Sequence, residues 1–88
     1  MKIKEGFVTR EIADTIVAVP TGELVNEFQG MIKLSPSSKF VWDLLQEDTS
    51  LEEIADKLSK KYNLDNNKAK ADVEKFINNL KTSNLIEE

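Results

Sequence analysis

The sequence contains neither cysteine nor histidine. Without cysteine there are no disulfides and no thiolate metal sites, a composition that suits a reducing cytoplasm. Without histidine the usual general base at neutral pH and the commonest zinc ligand are missing too. The two absences exclude the nucleophile–base pairs of hydrolases, so catalysis would have to rest on carboxylates, lysines and hydroxyls.

Long apolar runs and a surplus of positive charge are also missing. No segment of the 88 residues is apolar enough to cross a bilayer, and residues 1–6 are too polar for a signal peptide. The net charge of −4 argues against a partner made mainly of phosphate. We therefore expect one cytoplasmic domain over residues 1–88 that acts on neither membranes nor nucleic acids and uses no cofactor.

The first third of the chain predicts strands. Residues 7–12 are rich in β-branched and aromatic residues and alternate roughly at period two, residues 13–14 suit a turn, and residues 15–19 form a more apolar strand before Pro20-Thr21-Gly22. These pieces predict a hairpin. Residues 24–28 fit neither template, and we expect a loop or a short helix ending at Gly30.

A third strand runs directly into a helix. Residues 31–34 alternate, which places Ile32 and Leu34 on one face and Met31 and Lys33 on the other. Ser35 is positioned to cap the following helix, with Pro36 as its first residue, where a missing N–H costs nothing.

From Pro36 onward the apolar period changes to 3.6. The first predicted helix covers residues 36–46 and has Trp42 at the flank of its apolar stripe. The second opens with a capping box formed by Thr49 and Glu52. The core-facing residues of the first helix are Phe40, Val41, Leu44 and Leu45, and those of the second are Leu51, Ile54, Ala55, Leu58 and Tyr62.

The third predicted helix is capped by Asp65 or Asn67. Asn84 can end it in the left-handed conformation, with Leu85 folding back onto the helix in a Schellman motif. Its core-facing residues are Ala69, Val73, Phe76, Ile77 and Leu80. The sequence thus predicts an α+β fold of winged-helix type, with a three-stranded N-terminal antiparallel sheet followed by three α-helices.

Most groups that could carry chemistry have a simpler explanation. Adjacent acidic pairs such as Glu52 and Glu53 point in different directions on a helix, so they predict a solvated surface. The lysines of the last two helices alternate with carboxylates instead of forming a basic stripe, and the aromatic residues lie on or beside apolar stripes, which favours packing. Gly22 and Gly30 stand alone and predict turns.

One feature remains open. A small sheet has two edges, and an edge beside an amphipathic helix offers backbone donors and acceptors next to an apolar groove. The edge of the 31–34 strand is either blunted by Lys33 and a covering loop or free to accept an added peptide strand.

Five segments follow one another with a spacing that is characteristic of a known family, namely Val17–Leu24 (VAVPTGEL), Gly30–Leu34 (GMIKL), Phe40–Leu45 (FVWDLL), Thr49–Ile54 (TSLEEI) and Asp72–Leu80 (DVEKFINNL). With them the chain resembles the PqqD family of small peptide chaperones. The resemblance extends in order from Phe7 to Ile86, with Ser35 and Asn84 replacing the family's usual asparagine and glycine in equivalent capping roles.

The resemblance implies a recognition element for ribosomally synthesised, post-translationally modified peptides. In that family a leader peptide docks as an extra antiparallel strand on the third strand and fills the cleft beside the third helix. The implied contacts here are the backbone of Met31, Ile32, Lys33 and Leu34 and the side chains of Lys68, Asp72, Lys75, Phe76 and Asn79. The domain would present the peptide to a separate enzyme such as a radical SAM enzyme, a cyclase or a leader peptidase.

A different hypothesis is a winged-helix transcription factor. The third helix would then be the recognition helix, with its lysines contacting phosphates. The acidic balance of the chain argues against this alternative.

Overall fold

The computed structural model describes residues 1–22, 24–27 and 30–87. Three strands come first, then a short helix and a fourth strand, then three longer helices and a final short strand. In chain order they are β1 (Lys2–Ile3), β2 (Phe7–Ile12), β3 (Thr15–Pro20), α1 (Leu24–Glu27), β4 (Ile32–Leu34), α2 (Pro36–Leu44), α3 (Leu51–Tyr62), α4 (Asn66–Thr82) and β5 (Ile86–Glu87).

The predicted hairpin is confirmed as β2 and β3. Ile12 lies opposite Thr15, and the two residues between them, Ala13 and Asp14, have φ angles of 47° and 69°. Positive φ at both central positions defines a type I′ turn, whose twist matches that of the flanking strands. The turn thereby fixes the register of the hairpin.

The main sheet has the order β2-β3-β4 and is antiparallel throughout. The predicted faces of the third strand are confirmed, since Leu34 is buried and Ile32 half-buried while Met31 and Lys33 are exposed. Ser35 caps α2 as predicted, its Oγ accepting from the backbone N–H of Ser38 at 3.1 Å. A strand and a helix therefore meet across one capping residue.

The helices pack under one face of this sheet and make a single apolar core. The prediction that Trp42 lies at the flank of α2 is wrong, because this side chain is only 2% exposed and contacts the ring of Phe7 edge-to-face at 5.5 Å. The stripe argument assumed that α2 is covered on one side only, whereas β2 supplies an aromatic ring as a second cover. The buried core comprises Ile3, Ala18, Leu34, Val41, Trp42, Leu45, Ile54, Ala55, Leu58, Ala69, Val73, Ile77, Leu80 and Leu85.

The start and end of α3 differ from the prediction. Its N-cap is Ser50, which accepts from the backbone N–H of Glu53 at 3.2 Å, while Thr49 Oγ1 donates to the Glu53 carboxylate. The predicted capping box of Thr49 and Glu52 is wrong by one residue, because two hydroxyl residues stand side by side and the second has the extended conformation. Tyr62, predicted to face the core, is 38% exposed and contacts only the edge of the core through the Phe40 ring at 6.2 Å.

The ends of α4 match the prediction closely. Asp65, one of the two predicted caps, accepts from the Asn67 backbone N–H at 2.7 Å. Asn84 has a left-handed φ of 61°, and its N–H donates to the Lys81 carbonyl while that of Leu85 donates to the Leu80 carbonyl, each at 2.9 Å. These two bonds constitute the predicted Schellman motif.

The first and last strands form a second, two-stranded sheet that was not anticipated from the sequence. Lys2 pairs with Glu87 and Ile3 with Ile86. The N–H of Ile3 also donates to the Leu45 carbonyl at 2.8 Å, so the added sheet closes over the end of α2. Two-residue strands carry too little periodicity to be detected.

Near this second sheet, the amino-terminal ammonium group of Met1 contacts Asp48 Oδ1 at 2.6 Å and the Thr49 carbonyl at 2.8 Å. The hydrogen bond and charge of the ammonium group lower the pKa of the exposed Asp48 carboxyl below its ordinary value.

Of the two conformations left open for residues 24–28, the short helix α1 covers Leu24–Glu27, and Phe28 lies outside the described residues. None of the helices in the described ranges is both long and apolar enough to cross a membrane. The α+β architecture, with a three-stranded antiparallel sheet followed by three helices, is confirmed.

Candidate functional site

The site begins at the edge of β4. In the part of the chain that the structure describes, β4 pairs with β3 and with no other strand. β3 lies between β2 and β4, so its backbone groups must be divided between two neighbours. The hydrogen-bonding pattern of the β2–β3 hairpin therefore determines which backbone groups of β4 remain free.

In a two-residue hairpin the residues flanking the turn form a hydrogen-bonded pair, and bonded and non-bonded pairs then alternate. Ile12 and Thr15 flank the turn, so the backbone groups of Thr15 and Val17 point toward β2. Those of the intervening Ile16 and of Ala18 point toward β4.

The residues opposite Ile16 and Ala18 are Leu34 and Ile32, which accordingly bond to β3. The N–H and C=O of Lys33 then point away from the sheet, toward the free edge. In an extended chain the backbone groups of residues i and i+2 point to the same side, so those of Met31, directly before β4, would face the free edge as those of Lys33 do. The edge thus presents a donor and an acceptor at Lys33, ready to pair with an antiparallel strand.

A small pocket lies where this edge runs into α2. Ser37 and Ser38, in the first turn of α2, form one side of it, and Asp72 and Phe76 of α4 form the other. Its volume is about 70 Å³. Apolar side chains supply the rest of the lining, namely Val41, Leu58, Leu64 and Val73. The pocket has room for the tip of one apolar side chain, and Ser37, Ser38 and Asp72 are the polar residues of its lining.

The five predicted site residues of α4 share one flank of that helix. At about 100° per residue, Lys68, Asp72, Lys75 and Asn79 lie to one side of the buried Val73, and Phe76 lies between this flank and the core. Asp72 and Phe76 line the pocket. The structure does not place Lys68, Lys75 or Asn79 in its lining.

Asp72 is already engaged by its helical neighbour. Lys68 Nζ lies 3.6 Å from Asp72 Oδ2, and both side chains are more than half exposed. An exposed pair at this spacing contributes only about 0.3–0.5 kcal/mol. A ligand group can therefore displace Lys68 from the carboxylate at little cost.

Sequence reasoning missed the side of the pocket formed by α2. Ser37 and Ser38 were considered only as part of a helix start. Their small side chains leave space that a larger residue would fill, and the run Ser35-Pro36-Ser37-Ser38 was the available signal. Four other pocket residues, Val41, Leu58, Val73 and Phe76, are predicted core residues; the structure buries the first three in the core and packs Phe76 against it.

Other chemistry is sparse in the described ranges. No polar or charged side chain is buried there, and no group of three His, Cys, Asp or Glu residues is placed to hold a metal ion. A broader depression at the second sheet is lined by polar and charged residues alone, which are Lys2, Gln46, Glu47, Asp48 and Glu87. The pocket beside β4 differs from it in having an apolar floor.

Two comparisons with known proteins found a match, and a third did not. A search of curated proteins found no match. A solved structure described as TbiB1 in complex with the TbiA(beta) leader peptide matches with a TM-score of 0.75 and 26% sequence identity, covering 99% of this chain and 95% of that one. The family model of coenzyme PQQ synthesis protein D (PqqD) matches residues 15–86, which include both β4 and α4, and the chain therefore belongs to the PqqD family.

Proposed function

We propose that this chain is a non-catalytic adaptor that binds the leader peptide of a ribosomally synthesised, post-translationally modified peptide. The leader would add to β4 as an antiparallel strand, and the adaptor would present the remainder of the peptide to a separate modifying enzyme. Holding the substrate close to that enzyme raises its effective concentration.

The proposal depends on the register that turns the backbone of Lys33 to the free edge, together with the apolar pocket that begins at Ser37, three residues after β4 ends. Backbone pairing supplies affinity for any extended peptide, and pockets for alternate side chains supply selectivity. An antiparallel visitor would have its amino-terminal end at the Leu34 end of β4, where the chain enters α2. A side chain there could reach the pocket between Ser38 and Phe76.

The similarity to a structure determined with a leader peptide supports the same assignment. By the register given above, β3 uses the backbone groups of Ile32 and Leu34, so the candidate contacts are the other seven of the nine residues implied by the family resemblance. We assign the backbone role to Lys33 and Met31 and the pocket role to Asp72 and Phe76. Lys68, Lys75 and Asn79 would line the exposed flank along which the leader continues.

The test is a titration of the leader encoded beside this chain's gene. We expect saturable binding in the micromolar to high-nanomolar range, about −8 to −10 kcal/mol, measured by fluorescence anisotropy of a labelled leader. Amide chemical shifts should change along residues 31–34 and on the Asp72 flank of α4. Absence of saturable binding, or shift changes elsewhere only, would refute the proposal.

A pocket variant sharpens the test. Phe76→Ala removes the aromatic wall, and we expect the dissociation constant to rise by about tenfold or more, which corresponds to about 1.4 kcal/mol. Ile86→Ala is the matched control, because Ile86 is also a half-buried apolar residue packed on the core but lies in β5. Its affinity for the leader should stay within about twofold of the unmodified chain, and urea unfolding of both variants separates affinity from stability.

No observation favours binding to DNA. The lysines of α4 are interspersed with carboxylates, and Lys68 lies within ion-pairing distance of Asp72. Addition of random duplex DNA is a useful negative control in the anisotropy assay.

A further inference from the structure

The face of the main sheet that points away from α2, α3 and α4 carries its own apolar surface. Phe7 contacts Trp42 and so marks the inner face of β2, which places Val8 and Ile12 on the opposite, outer face. Val8 is 40% and Ile12 53% exposed, and Met31, just ahead of β4, is 55% exposed. Three of the large apolar side chains that the described residues expose thus lie on or next to this outer face.

A basic row crosses the same face. Arg10, Val17 and Lys33 are cross-strand neighbours in β2, β3 and β4. Val17 is only 2% exposed although it does not belong to the core cluster under the helices. Neither Arg10 nor Lys33 forms an ion pair with any residue that the structure describes.

The charge of this face is opposite to that of the chain. Its outward positions in β2, β3 and β4 are Val8, Arg10, Ile12, Thr15, Val17, Val19 and Lys33, which include two cations and no carboxylate. The chain as a whole has a net charge of −4. A partner surface that places carboxylates against Arg10 and Lys33 and apolar side chains against Val8 and Ile12 would complement this face.

Area and charge both argue against a second copy as the occupant. β2 and β3 are about 20 Å long and β4 about 10 Å, so at a strand spacing of about 4.8 Å this face covers roughly 240 Å², against about 800 Å² per partner in a standard stable interface. A symmetric dimer would also bring the unpaired Arg10 and Lys33 of two copies together. A smaller, transient contact with an acidic partner is the better fit.

We propose that this outer sheet face docks the modifying enzyme, whose contact surface would place carboxylates against Arg10 and Lys33 and apolar side chains against Val8 and Ile12. The inference rests on the proposed function, because a leader added at β4 becomes a fourth strand of the same sheet. Its outward side chains would then stand beside Lys33 and widen the docking face by about 5 Å. The enzyme therefore binds the loaded adaptor more tightly than the empty one, and by linkage it tightens leader binding by the same factor.

The experiment uses the full chain and the purified modifying enzyme encoded beside it, with binding measured by calorimetry with and without leader. Arg10→Glu and Val8→Lys alter the outer face on β2, the strand farthest from the leader edge. Lys70→Glu is the control, since it reverses the same charge on the flank of α4 opposite Asp72. Unfolding curves establish that each variant is folded.

We expect Arg10→Glu and Val8→Lys each to weaken enzyme binding about tenfold, because each changes the charge of the docking face and so disrupts its complementarity to the enzyme. The affinity for the leader should stay within about twofold, since neither residue lies at the leader edge. Lys70→Glu should change neither. The proposal is overturned if the wild-type adaptor does not bind the enzyme, if both variants bind it normally, or if they weaken leader binding equally. It is also overturned if sedimentation shows a wild-type dimer that these variants dissociate.

The two proposals fail separately. If the wild-type chain does not bind the leader, the proposed function is refuted. The docking face is still supported in that case if the leader-free chain binds the enzyme and Arg10→Glu weakens that binding.

Discussion

Replacement of Lys33 by proline tests strand addition at the level of a single backbone group. The N–H of Lys33 points to the free edge of β4, so its loss leaves the pairing with β3 intact. Proline is tolerated on an edge strand where its nitrogen faces outward. We expect the free energy of unfolding to fall by less than about 1 kcal/mol.

The effect on leader binding should be larger. The leader carbonyl opposite residue 33 loses its donor, and the proline ring occupies the space where the added strand would approach. A net hydrogen bond contributes about 1 kcal/mol and an unsatisfied acceptor costs about 1–3 kcal/mol, so we expect a loss of about 2 kcal/mol, or roughly 30-fold in the dissociation constant. The assay is fluorescence anisotropy of the labelled leader.

Two companion variants isolate the cause. Lys33→Ala keeps the N–H and should bind the leader within about threefold, since it removes only an exposed side chain. Ile32→Pro removes an N–H that bonds to β3, and it should destabilise the fold by about 2 kcal/mol or more. If a folded Lys33→Pro chain binds the leader as well as the wild type does, the leader does not pair with this edge.

Three further predictions concern the fold. Ser50→Ala should lower the free energy of unfolding by about 1 kcal/mol and Thr49→Ala by less than about 0.5 kcal/mol, because Ser50 is the cap. Urea unfolding measures both values, and the reverse order would support the capping box predicted from the sequence. Ala13→Gly should raise that free energy by about 0.5–1 kcal/mol by relieving a positive φ, whereas the control Ala71→Gly, within α4, should lower it by about 1 kcal/mol; equal effects of the two would contradict the turn assignment. The Asp48 carboxyl should titrate below its ordinary pKa, so its contribution to stability is present above that ordinary value and is lost as the pH falls through the lowered one; a carboxyl NMR titration checks this, and acetylation of the amino terminus should return the pKa toward normal.

Much of this architecture was predictable because local signals agreed with one another. The hairpin turn at Ala13 and Asp14, the Ser35 cap and the left-handed Asn84 each follow from short-range chemistry that the chain has to satisfy wherever it folds. Alternation over residues 31–34 fixed the faces of β4. Local signals therefore located both the site strand and the start of the helix behind it.

Two of the failures are local, since the cap of α3 is Ser50 and not the predicted Thr49, and the two-residue strands β1 and β5 carry too little periodicity to be detected. The others are tertiary. Nothing near Trp42 in the sequence shows that Phe7 will cover it, and Tyr62 follows the apolar spacing of α3 but lies at the end of the helix, where the core stops. The pocket beside α4 was incompletely predicted for the same reason, since Ser37 and Ser38 come to face Asp72 only once the helices have packed. Periodicity indicates which face is buried and leaves open what covers it.

The brevity of β4 has a consequence for discrimination among peptides. Because β4 has only three residues, the proposed pairing uses the N–H and C=O of Lys33 and of Met31, two positions earlier in the chain. Four hydrogen bonds of about 1 kcal/mol each supply roughly half of the 8 kcal/mol that micromolar affinity requires. A longer edge strand would bind almost any extended peptide through backbone hydrogen bonds, whatever the peptide's sequence. With an edge this short, only peptides whose side chains supply the remaining binding free energy are retained, so the small number of free backbone groups makes the domain selective.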